Sequence, residues 1–239
     1  MARIVGKILA FLAFIVIALA VVAVVVVPMV VRPIVIDAVR AASPFGAAPL
    51  DVEVDLNALG LLRGKVDRIH VHGAKLVTGD TTIGALDLTV TGVSTTDRGF
   101  EAITGRLSTL SVPWVEGSTI TIDGIDLVGQ SGAVVASATL DAKAGVALVG
   151  AAFGDAGVPV DDIELADGGV TLVVLGHQVE LALEVQDGAL VLPDVLGGGP
   201  VTLLEPGPDD PWRLTGVSVT AAGMVIEGVL NAQRVLAGG

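Results

Sequence analysis

The sequence has no cysteine, no tyrosine, three histidines, two tryptophans and five phenylalanines in 239 residues. Without cysteine there is no disulfide framework and no lipoprotein cleavage site, so the fold rests on core packing alone. With so few aromatics, the apolar material is almost entirely Val, Leu, Ile and Ala. Positive charge is also short: 13 Lys and Arg face 26 Asp and Glu, a formal charge of −13. An acidic surface argues against nucleic acid and against broad adsorption to anionic lipid heads. There is no P-loop and no dinucleotide fingerprint. Gly129-Gln130-Ser131-Gly132 is not a nucleophile elbow, and no histidine is placed to serve Ser131. These absences argue against an enzyme and leave no catalytic residue, metal ligand set or cofactor to name.

What the chain does have is a charge-free apolar run at residues 8–31, flanked by Arg3, Lys7 and Arg32. At 1.5 Å per residue, such a helix spans ~36 Å, enough to cross a ~30 Å hydrocarbon core. A signal peptide has a shorter apolar region, ~7–15 residues, closed by a small-residue cleavage site. The length favours an uncleaved anchor at 1–33. The flanking cations favour, mildly, a cytoplasmic N-terminus. The expectation is a single pass through the cytoplasmic membrane with the C-terminal domain on the extracytoplasmic side. Residues 34–49 read as a helical linker broken by Pro44, Gly46 and Pro49. Beyond residue 40 the chain carries nine Lys and Arg against 25 Asp and Glu, with ample length for a core.

From Leu50 the period changes to two. Asp51, Glu53 and Asp55 alternate with Val52, Val54 and Leu56, the pattern of a half-buried strand. Ile69 and Val71 alternate with Arg68, His70 and His72; Leu86, Leu88 and Val90 alternate with Asp87, Thr89 and Thr91. Residues 100–111 fit helix or strand. Residues 117–128 read as a strand with a turn or bulge at Asp123-Gly124. An alanine-rich helix is expected near 140–153, with Gly145 and Gly150 each costing ~1 kcal/mol against alanine. Strands then recur between turns at Asp167-Gly168, Gly176-His177, Asp187-Gly188 and Ala222-Gly223. Residues 197–211 read as a loop, and the total is ten to twelve strands. Residues 133–136 and 170–175 are apolar on both faces, which places them between two layers.

Residues 50–73, 83–93, 161–192 and 214–230 together resemble the bacterial LmeA-like phospholipid-binding family, as pattern rather than invariant motif. The most recognisable pieces are residues 62–69 and the Asp-Gly turns at 167–168 and 187–188. The resemblance implies an N-terminal transmembrane helix followed by an elongated, curved antiparallel sheet packing one or two helices, akin to tubular lipid-binding proteins. The fold expected is thus mainly β with few helices (α+β), with residues 50–239 as the β-rich lipid-binding domain. It also implies an envelope protein that carries or senses phospholipid, with phospholipid and membrane as partners and no catalytic residue to transfer.

An acyl chain leaving a bilayer forfeits ~0.8 kcal/mol per CH₂, so a carrier needs an aliphatic wall. Val134, Val170, Leu172, Val174, Val179, Leu181, Leu183 and Val185 are the candidate wall; the plain alternative is an ordinary β core. Arg63, Lys65, Arg68 and Lys75, four of the nine cations beyond residue 40, are the candidate headgroup site. The plain alternative is a charged strand face with partners such as Asp67 and Asp80. His70 and His72 can chelate by spacing but lack a third ligand, so a solvated face is expected. Asp51, Glu53 and Asp55 lack a calcium loop. Asp161-Asp162 and Asp209-Asp210 read as solvated turn charge. The competing function is a structural or partner-binding envelope domain with a packed core and no lipid.

Overall fold

The computed structural model describes residues 50–57, 60, 63–78, 80–94, 96, 99–113, 119–193, 199–207 and 210–237. The expected anchor and linker lie outside the described residues. Among the described residues, no helix is long and apolar enough to cross a membrane.

The chain is mainly β. Six strands open it: β1 (Leu50–Asp55), β2 (Lys65–Thr78), β3 (Thr81–Ser94), β4 (Ala102–Pro113), β5 (Thr119–Gln130) and β6 (Ala133–Asp141). Helix α1 (Ala142–Ala156) follows. Six short strands come next: β7 (Asp162–Ala166), β8 (Gly169–Val174), β9 (His177–Ala182), β10 (Glu184–Gln186), β11 (Ala189–Leu192) and β12 (Val201–Leu204). The hairpin β13 (Trp212–Thr220) and β14 (Gly223–Leu230) and a short helix α2 (Ala232–Ala237) close the described part. The large sheet has the order β1-β2-β3-β4-β5-β6-β14-β13; β7-β8-β9 and β10-β11-β12 form two small sheets. Every strand pair is antiparallel.

Residues 100–111, which fit either helix or strand, fall largely in β4. The stretch 197–211 is not all loop, because Val201, Leu203 and Leu204 are apolar enough to bury β12. The described strands number fourteen rather than ten to twelve.

A strict period of two does not survive along the long strands. Ile83 and Leu86, Leu107 and Leu110, and Ile122 and Ile125 are buried three residues apart on β3, β4 and β5. The slip occurs at one level, where Lys75, Gly84, Thr109 and Asp123 lie opposite one another across β2 to β5. Lys75 (φ 55°) and Thr109 (φ 52°) turn into the left-handed region there. Strand β6 does not slip, so the register against it breaks between Ile122 and Gly124. The Asp123-Gly124 step is therefore a bulge. One residue per strand is spent to shift the facing of four strands together, and the bulge of β5 against β6 bends and twists the strand that carries it.

Helix α1 starts where Asp141 accepts a hydrogen bond from the Ala144 N–H at 2.7 Å. It stops at Gly157 (φ 69°), whose N–H reaches the Gly154 carbonyl while Val158 N–H reaches that of Phe153. Its buried stripe is Ala144, Gly145, Leu148, Val149, Ala152 and Phe153, and it packs between β5, β6 and β14 on one side and β7 and β12 on the other.

Candidate functional site

The inner face of the large sheet is a continuous aliphatic surface. One transverse row runs from β1 to β13 through Val54, Ile69, Val90, Ile103, Gly129, Val134, Leu230 and Trp212. Seven gaps of ~4.8 Å make such a row ~34 Å long. Except for Gly129, every member is buried. Polar groups are excluded from this face because an unpaired one would cost several kcal/mol.

Seven of the eight candidate wall residues divide among three sheets, and Leu183 lies between two of them. Val134 belongs to the large sheet. Val170 pairs with Leu165 and Leu181, and Leu172 with Ile163 and Val179, so these residues share one face of the sheet β7-β8-β9. That face meets α1. A β-carbon added to Gly145 would lie 2.8 Å from Leu165 Cδ1 and 3.2 Å from Met224 Cε, and one added to Gly150 would lie 3.3 Å from Ile163 Cδ1. Val174, at the end of β8, pairs with His177. Leu183 is buried in the break between β9 and β10, and Val185 pairs with Leu190 in the third sheet. The single strand read through 178–186 is thus two strands in two sheets. Most of β8 is buried on both faces, as its composition implied, but Leu175 sits in the following turn and is 81% exposed. Residues 133–136 are not between layers: Ala133 is exposed and Val135 is 38% exposed, so only one face of β6 is covered there.

The four candidate headgroup cations are spread along one edge of the chain rather than gathered. Arg63 precedes β2, and Lys65, Arg68 and Lys75 lie on it; Lys65 and Lys75 are separated by roughly 30 Å of strand. Lys65 Nζ pairs with Glu101 at 3.2 Å, and Arg68 Nη2 pairs with Asp55 at 2.6 Å. Arg63 and Lys75 form no ion pair with another described residue.

The outer face is a ladder of charge. On the edge strand, Asp51, Glu53 and Asp55 stand opposite His72, His70 and Arg68 of β2. His72 Nε2 is 3.4 Å from Asp51; His70 Nδ1 is 3.7 Å from Glu53, and its Nε2 is 3.1 Å from Asp87 of β3. The two imidazole rings lie 5.3 Å apart. Two strands on, Arg106 Nη1 forks onto both oxygens of Asp126 at 3.2 and 3.3 Å. Among the described residues, no group of three or more His, Cys, Asp or Glu side chains is arranged to hold a metal ion. The histidines are therefore not simply solvated, since each faces carboxylates.

Asp161 is exposed, in keeping with the solvated-turn reading, and also has a structural contact. Its carboxylate accepts the Gly176 N–H at 3.2 Å and so braces the β8–β9 turn. Asp210 does the same for Gly207 at 2.7 Å. Ser131 is buried at the β5–β6 turn, where its Oγ takes a hydrogen bond from Gln233 Nε2 at 3.4 Å.

Two features escaped the sequence reading. The link from His70 to both Glu53 and Asp87 depends on strand register, which local alternation does not give. The slip, by contrast, had a signal: Ile83-x-x-Leu86, Leu107-x-x-Leu110 and Ile122-x-x-Ile125 each place two apolar residues three apart within an alternating run. No protein-family model, no curated protein and no solved structure proved similar to the chain.

Proposed function

We propose that this chain is a membrane-anchored, extracytoplasmic phospholipid-binding protein, without chemistry of its own, that carries or senses lipid in the cell envelope. In this reading residues 8–31 are the transmembrane helix, and the large sheet is an elongated, curved surface like that of the LmeA-like family it resembles. The observation that carries the reading is the aliphatic inner face. A transverse row of ~34 Å exceeds the ~15 Å half-thickness of a bilayer core, the depth spanned by one acyl chain. The bulge of β5 against β6 favours local bending and twist, which suits a sheet that wraps an elongated apolar guest.

A second reading has its own support. Helix α1 fills the space between β14 and the sheet β7-β8-β9 so closely that Gly145 has no room for a side chain without movement of Leu165. Packing of that density favours a structural or partner-binding domain whose core is complete without lipid.

Native mass spectrometry separates the two. The full chain is purified, a protease site introduced within residues 41–49 releases the domain, and its mass is recorded before and after incubation with phosphatidylcholine–phosphatidylglycerol vesicles. One phospholipid per chain is the expected result. A domain that stays at its bare mass after incubation supports the packed module instead.

A further inference from the structure

We infer that His70 is a proton-operated latch on the β1 edge of the large sheet. Its two ring nitrogens face carboxylates from opposite strands, Glu53 on β1 at 3.7 Å and Asp87 on β3 at 3.1 Å. A neutral imidazole carries one N–H and can donate to only one of them; the other carboxylate then faces a nitrogen lone pair. An imidazolium carries two and a positive charge: it donates to Asp87 and attracts Glu53, which at 3.7 Å is within ion-pair reach though too far for a hydrogen bond. Histidine is the side-chain type most able to change charge near neutral pH, and the number of strands the ring can tie together depends on that charge.

The surrounding groups leave this role to His70. From β1, Asp55 is engaged by Arg68 at 2.6 Å, and Asp51 faces His72 Nε2 at 3.4 Å. His72 Nδ1 is buried and has no hydrogen-bond partner among the described residues, so a second proton on that ring would find no acceptor there. From β3, Asp87 is opposite Arg106 of β4 in register, but Arg106 directs its guanidinium to Asp126. His70 is also the most enclosed member of the group, with its side chain 26% exposed against 56% for Glu53 and 69% for Asp87.

The element under control is the least secured strand of the large sheet. Strand β1 is six residues long and lies at one edge of the large sheet, where among the described strands it pairs with β2 alone. It is also where residues 1–49 join the sheet. Protonation of the ring therefore fastens this edge, and loss of the proton loosens it.

Hydrogen exchange of the full chain, read peptide by peptide between pH 5.5 and 8 and corrected for intrinsic exchange, tests this. Protection in residues 50–57, taken relative to residues 119–130, is expected to fall about three- to fivefold as pH rises, the scale of an exposed ion pair. His70→Gln should remove that pH dependence and leave the edge loose throughout, whereas His70→Arg should keep it fastened throughout. Glu53→Gln, which leaves the ring intact and removes its β1 partner, should also flatten the profile. An edge whose relative protection does not change with pH in the parent chain, or changes equally in His70→Gln, overturns the inference.

Discussion

Leu88 of β3 lies over Gly105 of β4, in the space that a β-carbon on Gly105 would need. The two residues are register partners, and the Asp87 carbonyl closes the same space from the backbone side. Because the obstruction includes main chain, it cannot be relieved by a rotamer change. Gly105→Ala should therefore destabilise the domain by about 2–3 kcal/mol, as overpacked cores do. A urea titration that finds the variant within ~0.5 kcal/mol of the parent would show that the strands can move apart there.

Asp141 closes β6 and caps α1 through one hydrogen bond to the Ala144 N–H. Asp141→Ala should cost about 1 kcal/mol, and Asp141→Ser much less, because serine also caps. Chemical denaturation of both variants checks the order, which a merely electrostatic role for Asp141 would not produce.

Leu175 and Gly176 form the β8–β9 turn with φ values of 52° and 78°. A left-handed leucine is strained, and asparagine tolerates that conformation far better. Leu175→Asn should raise stability by about 0.5–1 kcal/mol, seen as an upward shift in melting temperature. Asp187-Gly188 already uses the favoured chemistry at nearly the same angles, 52° and 84°, so Asp187→Leu should do the reverse.

Leu107 is wholly buried on the inner face of β4. Leu107→Ala should cost about 2–5 kcal/mol through lost transfer and an unfilled cavity. Arg106→Ala, one residue away on the outer face, should cost less than ~1 kcal/mol despite its two contacts to Asp126, since both partners are at least half exposed. Equal losses at the two positions, measured by urea titration, would contradict the assignment of inner and outer faces.

Much of the fold is legible because a half-buried strand writes its burial into alternation. Ile69 and Val71 point inward and Arg68 and His72 outward, as their order predicts, and the helix at 142–156 carries its own cap and glycine stop. What the alternation could not carry was anything settled between strands. Val179 and Val185 look like one strand but pair with different neighbours, Leu172 and Leu190. Residues 133–136 are even more apolar than 170–173, yet only the second stretch is covered on both faces, because coverage is decided by what folds over it. The candidate cations were close in sequence and for that reason looked like a cluster; an extended strand carries them apart at ~3.3 Å per residue.

The slip at Lys75, Gly84, Thr109 and Asp123 makes the four strands answerable to one another. Deleting Thr109 alone would restore strict alternation to β4 and keep Leu110 and Val112 on the face of Leu107, but it would slide them one residue out of step, so that Ser111 rather than Leu110 stood opposite Ile83 and Ile122. Length changes at this level are therefore not tolerated one strand at a time. A shortened or lengthened descendant of this sheet must alter all four strands in step, or move the change out to the turns where no neighbour keeps count.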